Sequence, residues 1–93
     1  MLPVQFESIL RAVEGFQVEK LDGEIILLQP VRNIIIYSNQ SAALIWQLCD
    51  GLRSVEAIIE ILSAAYPEAR DEIRAEVPAT LQTLIKQGAL ETV

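Results

Sequence analysis

The sequence has no histidine and a single cysteine, Cys49, in 93 residues. Those two gaps exclude imidazole acid–base chemistry, Ser-His-Asp and Cys-His nucleophiles, the usual soft-metal cages and any disulfide framework. Cationic side chains are also few: seven Lys and Arg stand against thirteen Asp and Glu, a formal net charge of −6. The broad positive field that holds a protein on phosphate backbones or anionic membranes is therefore missing. Long apolar runs are missing as well. Ile25 to Leu28, Ile34 to Tyr37 and Ala42 to Trp46 are the main ones, all far short of the roughly 20 residues that cross a bilayer. The stretch Met1-Leu2-Pro3-Val4-Gln5-Phe6-Glu7 lacks a charged segment leading into an apolar one, so no secretory signal is expected and the cytoplasm is the expected compartment.

What is present suits one small domain: 52% of the residues are hydrophobic, with no internal repeat, no low-complexity stretch and no linker. A chain this short has little material left to enclose a deep active site, so a surface groove is the expected form of any binding site. Gly15, Gly23, Gly51 and Gly88 are scattered as turn and cap residues, which leaves no phosphate-cradling loop. Cys49, among Trp46, Leu48 and Asp50, reads as a small core residue rather than a reactive thiol. No cofactor and no metal is expected.

The pattern divides the chain into an N-terminal extension over 1–15, a sheet over 16–38 and helices over 39–88. Phe6, Ile9, Leu10 and Val13 recur at helical spacing before Gly15, which predicts a short amphipathic helix. Phe16 to Lys20 alternates apolar and polar, Asp22-Gly23 suits a tight hairpin turn, and Glu24 to Gln29 is a second strand. Pro30 to Asn33 turns the chain again, and β-branched Ile34-Ile35-Ile36 with Tyr37 is a third strand. Asn39 is a good N-cap for a helix carrying Ala42, Ala43, Ile45, Trp46 and Cys49, closed by Asp50-Gly51. Ser54 caps a second helix with a Val55, Ile58, Ile59, Leu62 and Ala65 stripe, ended at Tyr66-Pro67. In the last helix Ile73, Val77, Leu81, Leu84 and Ile85 keep helical spacing, but Pro78 predicts either a start near Glu76 or a kink. Gly88 is placed as its C′ residue, with Leu90 folding back. The expected fold is α+β and winged-helix-like: a three-strand antiparallel meander, three helices, and an extra short N-terminal helix.

That shape suggests DNA binding by reflex, and the charges argue against it. Arg70, Arg74 and Lys86 of the last helix are interspersed with Glu68, Asp71, Glu72 and Glu76 rather than forming a basic reading face. The acidic cluster itself reads as a solvated helix start that complements the dipole. The third strand is more informative. It is the edge of a meander, uncharged from Ile34 to Tyr37 and without the Lys or Pro that blocks pairing. Were the last helix to lie beside it, with Ile73, Val77, Thr80 and Leu84 as a wall, an extended peptide could add there as a further strand. Core packing explains the same aliphatic residues equally well.

Three blocks occur in order: Gly23-Glu24-Ile25-Ile26-Leu27-Leu28, then Asn39 through Asp50-Gly51, then Arg53-Ser54-Val55-Glu56-Ala57-Ile58. Together with Glu76-Val77, Leu81, Leu84 and Gly88-Ala89-Leu90, over about residues 16 to 91, they resemble the PqqD-like peptide chaperones, the RiPP recognition elements of ribosomal peptide pathways. Ser38, Thr80 and Pro78 depart from that pattern. The resemblance implies a non-catalytic domain that binds the leader of a precursor peptide by strand addition and presents it to a modifying enzyme. That enzyme would be a radical S-adenosylmethionine maturase first, a leader peptidase or another modifying enzyme second. Carried over by position, the implied peptide-binding residues are Asn33, Ile34, Ile35, Ile36 and Tyr37 on the third strand, with Ile73, Arg74, Val77, Thr80, Leu81 and Leu84 on the last helix. A winged-helix DNA-binding regulator and a small oligomerisation module, which would hide the edge in a homodimer, are the competing readings.

Overall fold

The structure is a computed structural model that describes residues 4–93; the N-terminal reading above falls outside it where it rests on residues 1–3. In chain order the elements are β1 (Ile9–Ala12), β2 (Gln17–Leu21), β3 (Glu24–Gln29), β4 (Ile34–Ser38), α1 (Gln40–Leu48), β5 (Asp50–Ser54), α2 (Val55–Ala65), a 3-10 turn (Pro67–Ala69), α3 (Arg70–Lys86) and β6 (Leu90–Thr92). The strands form two three-stranded antiparallel sheets, ordered β2-β3-β4 and β5-β1-β6.

The meander forms where its turn chemistry places it. Asp22 and Gly23 both hold positive φ, 43° and 86°, the combination that a two-residue hairpin needs to match strand twist. The next turn ends on Asn33 at φ 59°, a left-handed position that Asn tolerates better than most side chains. Asn39 Oδ1 accepts from the Ala42 N–H at 2.8 Å and Ser54 Oγ from the Ala57 N–H at 3.1 Å, so both predicted caps satisfy donors that their helices leave unpaired.

The N-terminal helix expected over Phe6 to Val13 is instead β1. Its apolar spacing suits a helix, but so few residues gain little from helix formation alone, whereas pairing on both sides satisfies their backbone. Leu10 and Ala12 sit opposite Thr92 and Leu90, and Ile9 and Arg11 opposite Ser54 and Asp50. Just before β1, the carbonyls of Phe6 and Ser8 accept the N–H groups of Glu56 and Val55, both at 2.9 Å, and so complete the cap of α2. The segment between the first two helices, read from Asp50-Gly51 as a helix end, is the strand β5, and Leu90 opens a strand rather than merely folding back.

Helix α3 starts at Arg70, not near Glu76, and runs through Pro78 to Lys86. The proline costs about 3 kcal/mol in a helix interior; burial of Val77, Leu81 and Leu84 on the same helix offsets it. The core lies between the meander and the helices, with Leu27, Ile58, Ile59, Val77 and Leu81 essentially inaccessible. Trp46 Nε1 donates to the Ala89 carbonyl at 3.0 Å while its ring meets Phe16 edge-on at 6.2 Å, tying α1 to the chain segment that follows α3.

Candidate functional site: an open strand edge beside helix α3

Strand β4 is the last strand of its sheet, and no strand among the described residues pairs with its far side. Which of its residues carry the open backbone groups follows from counting along the ladder. A two-residue hairpin closes on a pair that exchanges hydrogen bonds, and antiparallel pairs then alternate between bonded and unbonded. From Leu21↔Glu24, the bonded pairs of β2 and β3 continue through Glu19↔Ile26 and Gln17↔Leu28. Ile25, Leu27 and Gln29 are thereby turned toward β4, where they meet Ser38, Ile36 and Ile34. The residues left over, Ile35 and Tyr37, aim both N–H and C=O away from the sheet.

The side chains alternate with the pleat. Ile36 points into the core and is 4% exposed, while Ile35 and Tyr37 stand on the outer face at 59% and 70%. Ser38 Oγ donates to the Ile25 carbonyl at 3.2 Å, which gives the one polar residue of the strand a local role.

Helix α3 runs alongside. A groove of about 240 Å³ is bounded by Ile36, Tyr37, Ser38 and Asn39 on one side and by Thr80, Thr83, Leu84 and Gln87 on the other, with Ala42 of α1 at its end. At the other end of β4, the position a Cβ would take on Gly88 lies 3.7 Å from Ile34 Cδ1, so the chain leaves α3 against the start of the strand. Asn33 is the turn residue that leads into β4, its N–H on the Pro30 carbonyl at 3.3 Å.

The other helix residues named from sequence divide into three groups. Leu81 is wholly buried and does not line the groove. Ile73 and Val77 border a second hollow, of about 220 Å³, against Leu44 of α1 and Leu62 and Tyr66 near the end of α2. Arg74 lies on the α2 side: its Nη2 pairs with Glu56 Oε1 at 2.9 Å and its guanidinium stands 5.3 Å over the Phe6 ring. The Glu56 carboxylate, by hydrogen bond and charge, raises the Arg74 pKa further. The structure therefore brings Thr80 and Leu84 to the strand groove but not Ile73, Arg74, Val77 or Leu81. Thr83 and Gln87 were missed; they follow Thr80 at the helical offsets of three and seven, the signal by which they could have been found.

Elsewhere a larger open depression of about 690 Å³ is lined by Arg11, Glu14, Arg32, Cys49, Asp50 and Glu91. Two of its charges pair with each other, Arg11 Nε lying 3.5 Å from Glu91 Oε1, and Asp50 pairs with Arg53. The backbone N–H groups of Leu52 and Arg53, with the Arg53 charge, hold the Asp50 carboxyl below the usual range. Burial, and then the Asp50 charge, push the Cys49 thiol up to about 12, so a thiolate nucleophile is not available there. Iodoacetamide at mildly alkaline pH should consequently label Cys49 no faster than the protein unfolds; labelling at the rate of a free thiol, measured by mass spectrometry, would contradict this burial. Among the described residues no three His, Cys, Asp or Glu side chains gather in a way that could hold a metal ion, and no helix is long and apolar enough to cross a membrane.

Fold and groove together define a class: small α+β domains in which the last strand of a three-stranded meander lies open beside the last helix. Residues 24–90 match the family described as Coenzyme PQQ synthesis protein D (PqqD), and the chain belongs to that family, as its ordered motifs suggest. Similar curated proteins include two described as PqqA binding protein from Rhodopseudomonas palustris. The strain HaA2 protein is 45% identical over 65 residues, and the strain BisB5 protein 43% identical over 65 residues. Each match covers 70% of this chain and 62% of the relative, so the chain spans somewhat under two thirds of those proteins. Among solved structures, one described as TbiB1 in complex with the TbiA(beta) leader peptide shares the fold. Its TM-score is 0.68 at 20% identity, covering 87% of this chain and 94% of that one.

Proposed function

We propose that this protein captures the leader segment of a ribosomally made precursor peptide by strand addition to β4 and holds the attached core peptide near a modifying enzyme. The observation that carries this reading is the open edge of β4, where the ladder leaves the backbone groups of Ile35 and Tyr37 outward and Tyr37 lines the α3 groove. Relatives named for binding PqqA, and a fold neighbour described with a leader peptide, support the same reading. No bond is made or broken by this chain. Tethering raises the effective concentration of the core peptide at the enzyme, on the order of millimolar for a short flexible link. A radical S-adenosylmethionine maturase is the first-ranked partner, a leader peptidase or another modifying enzyme the second, and the cytoplasm is the proposed compartment.

Main-chain pairing supplies affinity in this mode, and the pockets that receive alternate side chains supply specificity. Ile35 and Tyr37 offer two N–H donors and two C=O acceptors, and at a net 0.5–1.5 kcal/mol per bond the four contribute about 2 to 6 kcal/mol. Ile36 and Leu84 are already buried, so any further apolar burial has to come from the exposed side chains of Ile35 and Tyr37. In an amide-resolved NMR titration with the precursor leader, the Ile35 and Tyr37 amides should become protected from exchange, while those of Ile34 and Ile36, already bonded to β3, change little. Binding without new protection at Ile35 and Tyr37 would remove strand addition as the mechanism.

A further inference from the structure

We infer that Ile35 and Tyr37 also select the peptide through their side chains, on the sheet face turned away from α3, favouring a segment with apolar or aromatic residues two positions apart. This rests on the strand-addition reading and adds to it the pattern that the bound segment must have.

The same two residues carry both the open backbone groups and the exposed outer side chains. A segment that takes those groups therefore sets alternate side chains beside Ile35 and Tyr37, because side chains of neighbouring strands that share a face stand next to one another. Behind them, Leu28 is opposite Ile35 and Ile26 is opposite Tyr37. Two apolar rows thus already cross β3 and β4, and both stop at the edge with Ile35 59% and Tyr37 70% exposed. An added strand extends each row by one side chain. Strand β4 offers no charged residue there, its sequence being IIIYS, so a charged residue in the added strand would find no partner on this strand while an apolar one would bury surface against Ile35 or Tyr37. The peptide residue between the two faces the α3 groove instead, where Thr80 and Leu84 form a mixed wall. The bound segment is thus read on both faces, with the outer face demanding the apolar pair.

The test uses a displayed library of random ten-residue peptides, selected in parallel on the unaltered protein and on Tyr37→Lys. At 70% exposure the Tyr37 side chain can be exchanged with the fold retained, which circular dichroism verifies. Selection on the unaltered protein should enrich apolar or aromatic residues at two positions two apart. Selection on Tyr37→Lys should turn one of the two acidic and leave the other apolar, and a peptide from the first selection should bind the variant at least tenfold more weakly. Amide exchange on the selected complex separates the two levels of the idea. Protected Ile35 and Tyr37 amides with an unchanged peptide pattern on Tyr37→Lys overturn the outer-face reading and leave strand addition standing. Unprotected amides overturn both.

Discussion

Ile35→Pro should lower leader-peptide affinity by at least about tenfold while leaving the fold in place. Ladder counting from the Asp22-Gly23 turn puts the Ile35 N–H on the outside of the sheet, so proline there removes no bond to β3. Proline is tolerated at such edge positions, and Ile34, which precedes it, is already in the extended conformation that proline requires. The loss falls on the complex. The incoming carbonyl that would accept from Ile35 is left without its donor, a penalty of about 1–3 kcal/mol. That range corresponds to roughly 5- to 150-fold in affinity, and the ring adds bulk on the side from which the peptide approaches. Calorimetry with the precursor leader, on variant whose thermal transition matches the parent, measures the effect. Unchanged affinity in that folded variant would refute pairing at this edge.

Leu81→Ala should be the most damaging single truncation in α3. Leu81 is wholly inaccessible and belongs to the same core cluster as Leu27, Ile58 and Leu84. Removing a buried leucine side chain costs about 2–5 kcal/mol, the larger figures applying where the surroundings cannot collapse into the cavity. A 93-residue domain has about 5 to 14 kcal/mol in total, so the loss is a large share of its stability. Urea denaturation should show a markedly lower midpoint with a similar slope. Because Leu81 does not line the groove, the fraction that remains folded should still bind peptide. A fall in affinity with no fall in the midpoint would mean that the side chain reaches the ligand after all.

Residue by residue, the sites legible in sequence were those governed by neighbours a few positions away. Asp22-Gly23 announces its hairpin because few other dipeptides accept two positive φ values, and Asn39 and Ser54 announce their helices because a short polar side chain can reach an N–H two or three residues on. The surroundings of Arg74 were not legible, for the complementary reason. Its offset along α3 is fixed by the helical period, but whether that face meets β4 or α2 depends on how the helix is rolled against the rest of the core. Packing of Val77, Leu81 and Leu84 sets that roll, and it delivers Arg74 to Glu56 and Phe6. Asn33 to Tyr37 were named together from the sequence; the ladder turns the backbone groups of Ile34 and Ile36 toward β3 and leaves those of Ile35 and Tyr37 outward.

By itself the amino-acid order determined the meander, the three helices, the side-chain caps of α1 and α2 and the absence of imidazole chemistry, since each of these depends on local conformation or on composition. Only the tertiary structure decided that residues 9–12, 50–54 and 90–92 form a second sheet. Those segments are far apart along the chain and individually too short to favour one conformation, so their state is set by the backbone partners that the folded core brings to them. The groove has the same origin: an edge becomes a site when a helix from the far end of the chain is packed beside it.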